Sequence, residues 1–112
     1  MSTARRITSE DLNASETSEI FNGHEHGASV SFFLNHPRPG AGPSLHRHPY
    51  EEIFIVEAGE ATFTIGEETI EATAGDILVA PAGVPHKFVA RTEGYRSVNI
   101  HPVARMETEW LE

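Results

Sequence analysis

Closely spaced turn signals in the second half of the chain leave no room for a long helix. Gly59, Gly66 and Gly75 each interrupt short runs that are rich in β-branched and aromatic residues. Between two of these turns, the segment from Ala61 to Ile65 alternates polar and apolar side chains, the pattern of a half-buried strand. No stretch has the periodicity of an amphipathic helix. The sequence therefore predicts an all-β fold, either a sandwich or a barrel.

Length and composition indicate one domain without thiol chemistry. The 112 residues suffice for a single hydrophobic core. There is no cysteine, which excludes disulfides and thiolate ligands and leaves imidazole and oxygen to bind any metal ion. The formal net charge is −9 and Lys87 is the single lysine, which argues against a surface for nucleic acid. No apolar run is long enough to span a bilayer, so we expect a cytoplasmic protein without membrane or nucleic-acid partners.

Composition divides the chain into three parts. Residues 1–18 form a polar N-terminal segment that is rich in Ser, Thr and Glu. Residues 19–102 contain the strand-like runs and form the predicted barrel. Residues 103–112 form a C-terminal tail in which Trp110 and Leu111 are too apolar to remain free in water. We expect this tail to pack on the barrel or on a second subunit rather than to act as a substrate lid.

Two histidines in alternate positions give the first indication of a metal site. His46 and His48 leave an extended segment from the same face, and Pro49 favours extended geometry at the residue before it. Glu52 follows on the same parity and opens an apolar run. Two imidazoles and a carboxylate on one face are typical metal ligands. The spacing alone leaves an alternative open, because such histidine pairs also occur in surface loops.

The remaining histidines and a neighbouring glutamate receive weaker assignments. His24 and His26 repeat the spacing without an apolar frame, so we interpret them as a solvated strand end, with a surface metal site as the alternative. His101 lies near the end of a predicted strand and is a weak candidate for a general base, with a purely structural role as the alternative. Glu51 has the wrong parity for a ligand and is interpreted as a solvated charge.

A second motif ends in another histidine, and the two motifs together resemble those of the cupin superfamily. The first motif runs from Gly40 to Gly59 with its two histidines and one glutamate at every defined position. The second runs from Gly75 to His86 and includes a Pro-x-Gly turn. The family's second motif usually closes with an asparagine, where this chain has Ala90. That departure affects a pocket or structural hydrogen bond rather than the metal ligands.

The resemblance implies a fold, a metal site and an assembly. The fold is a single-domain double-stranded β-helix, the jelly-roll barrel of the cupins. One divalent transition metal ion is bound in the barrel mouth, and iron, manganese, nickel, cobalt, copper and zinc all suit imidazole and carboxylate ligands. The implied ligands are His46, His48, Glu52 and His86. Many cupins pair through a sheet face, so we expect a homodimer.

Strand parity predicts a pocket wall beside these ligands. The residues that share the faces of the histidines are Tyr50, Phe54, Val56, Phe88 and Ala90. An apolar lining with one hydroxyl suits a small, partly hydrophobic molecule. The alternative is that Phe54, Val56 and Phe88 belong to the barrel core.

The predicted function is that of a metal-dependent cupin acting on a small organic molecule. An anionic or chelating molecule suits the residual positive charge of such a site. A dioxygenase-type reaction is favoured. The alternatives are a non-redox isomerase, epimerase, cyclase or lyase, and a non-catalytic small-molecule-binding cupin, because cupin folds host all of these. The sequence indicates no catalytic residue beyond the metal centre and contains no nucleotide-binding fingerprint.

Overall fold

The computed structural model of the protein describes residues 4–112, which form two antiparallel β-sheets. The strands are β1 (Asn13–Ala14), β2 (Ser18–Phe21), β3 (Ser31–Asn35), β4 (His46–Arg47), β5 (Glu52–Ala58), β6 (Glu60–Ile65), β7 (Glu68–Thr73), β8 (Ile77–Ala80), β9 (His86–Ala90), β10 (Arg96–His101) and β11 (Glu109–Trp110). Helical structure in the described range is limited to two 3-10 turns, Ser9–Asp11 and Gly23–Glu25. Neither of these helical turns has the length and apolar character needed to cross a membrane. The prediction of a single all-β domain is confirmed.

Strands that are consecutive in sequence often lie in different sheets. One sheet has six strands in the order β1-β2-β3-β10-β5-β8, and the other has five in the order β11-β4-β9-β6-β7. The chain therefore crosses between the sheets after β5 and again after β7. Because each sheet turns one face toward the other, side chains that are distant in sequence meet on the two inner faces.

The core lies between the inner faces and is dominated by aromatic rings. Phe63 and Phe88 stack with ring centroids 5.0 Å apart, and Phe54 meets Phe63 edge-on at 5.0 Å. Along β5 the burial alternates, so that Phe54 and Val56 point inward while Ile53 and Ile55 are half-buried on the outer face. This alternation is the expected consequence of the two-residue period of a strand.

Both ends of the described chain pair with the barrel. β1 lies within the predicted polar segment and pairs with β2, which begins one residue before the predicted barrel boundary at residue 19. Residues 1–3 of that segment lie outside the described range. At the other end, β11 pairs with β4, and the Leu111 N–H donates to the Leu45 carbonyl over 2.9 Å. The tail therefore supplies one short edge strand of the five-stranded sheet.

Gly42 allows the loop before β4 to approach the backbone of β9. A Cβ atom at this position would fall on the backbone carbonyl of Phe88, which cannot move without disturbing β9. Two backbone hydrogen bonds hold the approach, from Gly40 N–H to the Ala90 carbonyl at 2.8 Å and from Ala90 N–H to the Ala41 carbonyl at 2.9 Å. The loop that leads into the His46 strand is thus held against the barrel.

We expect the Gly42→Ala substitution to lower the free energy of unfolding by about 2–4 kcal/mol, because the new methyl group collides with fixed backbone. Gly40→Ala is the matched control. A Cβ there meets no atom within 4 Å, but φ is +86°, so its expected cost is about 1–2 kcal/mol. Urea unfolding of both variants measures the difference. An equal or larger effect at Gly40 would contradict the proposed close approach.

Candidate metal centre

Three strands and one turn bring the four predicted ligands together. His46 in β4 lies directly opposite His86 in β9, so the register of one sheet places their imidazoles side by side. Their ring centroids are 4.4 Å apart. His48 follows two residues after His46, and Glu52 begins β5 in the facing sheet. All four side chains are buried, with exposures of 2–7%.

The spacing of their polar atoms fits one metal ion. Glu52 Oε1 lies 3.0 Å from both His48 Nε2 and His86 Nε2. One ligand atom from each of the four residues, His46 included, lies within 4.8 Å of the others. With metal–ligand bonds of about 2.0–2.2 Å, adjacent ligands of a six-coordinate ion are about 3 Å apart. Among residues 4–112 no other group of three or more ligand side chains comes this close.

Backbone carbonyls select the ring nitrogen that each histidine presents. His46 Nδ1 lies 2.7 Å from the carbonyl of Ser44, and His86 Nδ1 lies 3.0 Å from that of Val84. His48 Nδ1 lies 2.7 Å from the carbonyl of residue 107 in the tail. A carbonyl can only accept, so Nδ1 carries a proton in each ring, and in the neutral form of the ring the Nε2 lone pair faces the centre. Such outer partners orient metal-binding histidines and fix their tautomers.

The electrostatics of the cluster also suit a cation. Burial by itself raises the pKa of Glu52, but hydrogen bonds from the surrounding imidazoles, His101 first among them, outweigh it and hold the pKa well below its usual range. Burial lowers the pKa of His46, which favours the neutral ring that binds metals. Burial also acts to lower the pKa of His48, but the nearby Glu52 carboxylate and Glu107 carbonyl outweigh it and raise that pKa. His48 Nε2 is buried without a well-directed hydrogen bond, although Glu52 Oε1 is 3.0 Å away. A metal ion bonded to His48 Nε2 would satisfy this buried atom.

A fourth histidine, His101, lies at the cluster and is fully engaged. Its Nε2 is 3.2 Å from Glu52 Oε2, and its Nδ1 is 2.9 Å from the hydroxyl of Tyr50. That hydroxyl accepts from the Glu107 N–H at 3.2 Å, and burial raises the pKa of Tyr50, so its own proton remains available to His101. The hydroxyl also lies 3.3 Å from the Glu107 carbonyl, which has two lone pairs and can accept from it as well as from His48. A carboxylate only accepts, so the proton between His101 and Glu52 Oε2 is on the imidazole. His101 therefore carries its proton on Nε2 and donates it to Glu52 Oε2, which leaves Oε1 facing the remaining histidines.

The weak assignment of His101 has a clear origin in the sequence pattern. Along β10, Ser97, Asn99 and His101 alternate with Val98 and Ile100. The usual rule turns the apolar parity inward. The structure reverses it, since the three polar side chains are 1–4% exposed and the two apolar ones are half-buried on the outer face. What distinguishes β10 is that its polar side chains face inward. The sequence of the strand alone does not indicate this orientation.

A cavity of about 370 Å³ opens beside the cluster. Of the predicted ligands, His46, His48 and Glu52 line it directly. Residues outside the predicted ligands and pocket wall also contribute, among them Phe33, Asn35, Asn99, His101, Thr108 and Trp110. The indole of Trp110 lies 4.9 Å from the His46 ring and remains 59% exposed, so it forms part of the cavity rim.

The five predicted wall residues fall into three groups. Phe54 and Phe88 line the cavity. Val56 and Ala90 share their parity but lie in the hydrophobic core, because parity defines the face of a strand and not the depth along the barrel. Tyr50 does not line the cavity and instead stacks on His48 at 5.1 Å while its hydroxyl engages His101.

The second histidine pair lies apart from the cluster. His24 is exposed within the Gly23–Glu25 turn, and His26 is half-buried against the ring of Phe21 at 4.6 Å. At the position where cupins usually have asparagine, Ala90 is fully buried and its methyl group packs in the core. The chain thus fills that position with apolar packing instead of a polar contact.

The sequence matches a known family over most of the barrel. The family model described as the cupin domain matches residues 33–98. An uncharacterized protein of Streptomyces coelicolor is 37% identical over 57 residues, which are 51% of this chain and 54% of that protein. The chain thus spans about half the length of this relative.

Solved structures share the fold. The chain superposes on oxalate decarboxylase from Bacillus subtilis with a TM-score of 0.83 and 20% identity, over 99% of this chain and 33% of that one. The Lactobacillus farciminis oxalate decarboxylase formate complex gives 0.78 and 20%, over 91% and 34%. A Klebsiella pneumoniae protein with a double-stranded β-helix domain gives 0.73 and 19%, over 97% and 98%. The predicted double-stranded β-helix is confirmed, and the chain spans about a third of each decarboxylase.

We expect the metal-free protein to lose stability as the pH falls below about 4.5, the ordinary pKa of Glu52. The folded pKa is lower than that of the unfolded chain, so in this range the unfolded state binds a proton that the folded state does not. Acid therefore favours unfolding through this group. Thermal unfolding of chelator-treated protein at a series of pH values measures the slope.

The Glu52→Gln variant lacks this carboxylate, and its thermal midpoint is expected to fall less steeply with acid. Glu51→Gln is the matched control, because its side chain is exposed next to the same position. A slope in Glu52→Gln as steep as that of the control would show that Glu52 does not carry the acid sensitivity.

Proposed function

Because the chain belongs to the cupin domain family, we propose that it binds one divalent transition metal ion and acts on a small, anionic or metal-chelating organic molecule. The ligands of the ion are the same four residues predicted from the motifs. The convergence of three Nε2 atoms and one carboxylate oxygen at the wall of a cavity is the observation that carries this proposal. Iron, manganese, nickel, cobalt, copper and zinc all accept such ligands.

Charge and coordination favour an anionic chelator. Three neutral imidazoles and one carboxylate leave a divalent ion with a net charge of +1, and four protein ligands leave a six-coordinate shell open. A structural site fills its shell, whereas an open shell is typical of a catalytic one. The oxalate decarboxylases with the same fold act on a small dicarboxylic acid, and the Bacillus subtilis enzyme has Mn(II) centres. Both facts are compatible with this class of ligand.

The bound ion would supply Lewis acidity or, if redox-active, a site for dioxygen. The chain's own residues orient the ligand and exclude water. Phe54 and Phe88 form an apolar wall, and His101 is held by Tyr50 and Glu52 rather than free to move protons. Since the cavity offers no uncommitted histidine, we favour dioxygenase-type chemistry, which depends on the ion more than on a side-chain base.

A non-redox isomerase, epimerase, cyclase or lyase and a non-catalytic binding protein are the alternatives. They differ from a dioxygenase in a measurable way. Oxygen uptake that requires Fe(II) and a small organic acid supports the dioxygenase. Turnover without oxygen on the zinc or nickel form supports the non-redox enzyme, and saturable binding without turnover supports the binding protein.

We also propose that the protein is a homodimer that pairs through the outer face of the six-stranded sheet. On that face, Ile77 and Val79 of β8 are 65% and 53% exposed. Register places them beside the half-buried Ile55 and Ile53 of β5, so the apolar surface is continuous between the strands. A second copy presents the same face, and a two-fold axis lets each bury the other.

Protein purified without a tag or chelator is expected to contain close to one transition metal ion per chain by elemental analysis. His46→Ala removes one ligand and is expected to lower that content by tenfold or more. His24→Ala is the matched control, because it removes an exposed histidine that lies apart from the cluster. Equal metal content in wild type and His46→Ala would remove His46 from the ligand set.

The dimer has its own test. Wild type is expected to sediment as a dimer, and the double variant Ile77→Lys with Val79→Lys as a monomer, because two buried charges oppose the apolar contact. Thr69→Lys, on an exposed position of β7 in the other sheet, is the control. A monomeric wild type, or a dimer that survives the double substitution, would refute this interface.

A further inference from the structure

The inner face of β10 forms a polar line from the metal cluster into the barrel. His101 lies at the cluster, and Asn99 and Ser97 follow at two-residue steps of about 7 Å each. Because β10 lies between β3 and β5, register defines what surrounds each step. Asn99 is flanked by Phe33 of β3 and Phe54 of β5.

The Asn99 side chain has one end fixed and the other free. Ser97 Oγ–H donates to Asn99 Oδ1 over 3.0 Å in a buried setting, so the amide oxygen is held away from the cavity. The NH2 group then points the other way, and no acceptor for it is found among residues 4–112. Asn99 is only 4% exposed, and it lines the same cavity as His46 and Glu52. Among residues 4–112 the fully buried side-chain atoms without a partner are His48 Nε2 and Tyr95 Oη, so the Asn99 NH2 group is open to the cavity rather than sealed inside the protein.

Aromatic rings flank this donor, whereas the polar side chains of Asn35 and Ser18, which line the same cavity, lie at the register step of Ser97. Phe33, Phe54 and Phe88 line the same stretch of the cavity. A donor flanked by aromatic rings defines one point at which an acceptor atom is favoured. A site built around such a donor discriminates against molecules that lack the acceptor.

We infer that Asn99 is the second anchoring point for the ligand of the metal centre, donating its amide N–H to an oxygen of a small organic acid whose other end chelates the ion. This inference rests on the proposed function. It narrows the ligand to molecules with a chelating group, a short apolar middle that passes the phenylalanine rings, and a second acceptor oxygen. Small 2-oxo dicarboxylic acids have this pattern of groups.

Cobalt-loaded protein provides the test, because ligands that enter the shell change its visible absorption. The probes are 2-oxoglutarate and 2-oxoadipate, compared with 2-oxopentanoate and 2-oxohexanoate, which have equal chain lengths but no distal carboxylate. Wild type is expected to bind the dicarboxylate about tenfold more tightly at one of the two lengths, as one hydrogen bond to a charged group implies. Asn99→Leu is expected to abolish that preference and to keep the cobalt content and the affinity for the monocarboxylate.

Ser97→Ala is the second variant, in case Asn99→Leu does not fold. It removes the hydroxyl that orients the amide and leaves Asn99 in place, so a partial loss of the preference is expected. An unchanged preference for the dicarboxylate in Asn99→Leu overturns the inference. If Asn99→Leu does not fold, an unchanged preference in Ser97→Ala overturns it. So does a wild type without preference at either length. Failure of wild type to bind cobalt refutes the proposed function instead, so the two failures are distinguishable.

Discussion

The site depends on keeping one carboxylate, that of Glu52, ionised inside the barrel. A carboxylate at 3% exposure is costly unless charges or hydrogen bonds compensate it. Here the compensation comes from imidazoles on both sheets, since β4 and β9 belong to one sheet while β5 and β10 belong to the other. Closing the barrel and assembling the cluster are therefore the same event. A change that separates the sheets leaves a buried charge without partners.

Along β10 the six-stranded sheet has an inverted distribution of polarity, although β5 of the same sheet turns the apolar Phe54 and Val56 inward. Its inner face carries Ser97, Asn99 and His101, while its outer face carries exposed Ile77 and Val79. Polar side chains on an inner face contribute less hydrophobic stabilisation to the core, but they place hydrogen-bonding groups at the cavity. An apolar outer face restores burial only if another surface covers it. The proposed ligand and the proposed dimer thus rest on the same arrangement of strands.

The C-terminal tail contributes to the site through its backbone. The Glu107 carbonyl accepts from His48, and its N–H contacts Tyr50, so the tail supports two side chains of the cluster. Arg47 and Glu109 form an ion pair at 2.9 Å beside β11, but both are exposed and such pairs contribute little. The β11 pairing with β4 is what keeps Glu107 in reach. The tail therefore helps to define the geometry around His48.

Local sequence rules predicted the fold class and part of the candidate site. Period-two alternation and glycine turns predicted the all-β fold, because both depend on the conformations of a few neighbouring residues. Strand parity also grouped His46, His48 and Glu52, which are three of the four side chains that the fold brings within 4.8 Å of one another. Placing His46 and His48 on one face needed only the geometry of an extended segment. The resemblance to cupins then extended the set to His86, which lies in a distant strand.

The tertiary structure decided everything that depends on strand order and depth. His101 and Asn99 reach the cavity because β10 lies between β3 and β5, and no residue near them in sequence specifies those neighbours. Val56 shares the face of Phe54, yet it lies in the core because it is two residues farther along the barrel. Alternation along a strand determines which face a side chain takes. Register between strands that are distant in sequence determines what that side chain meets, and it arises only when the sheets close.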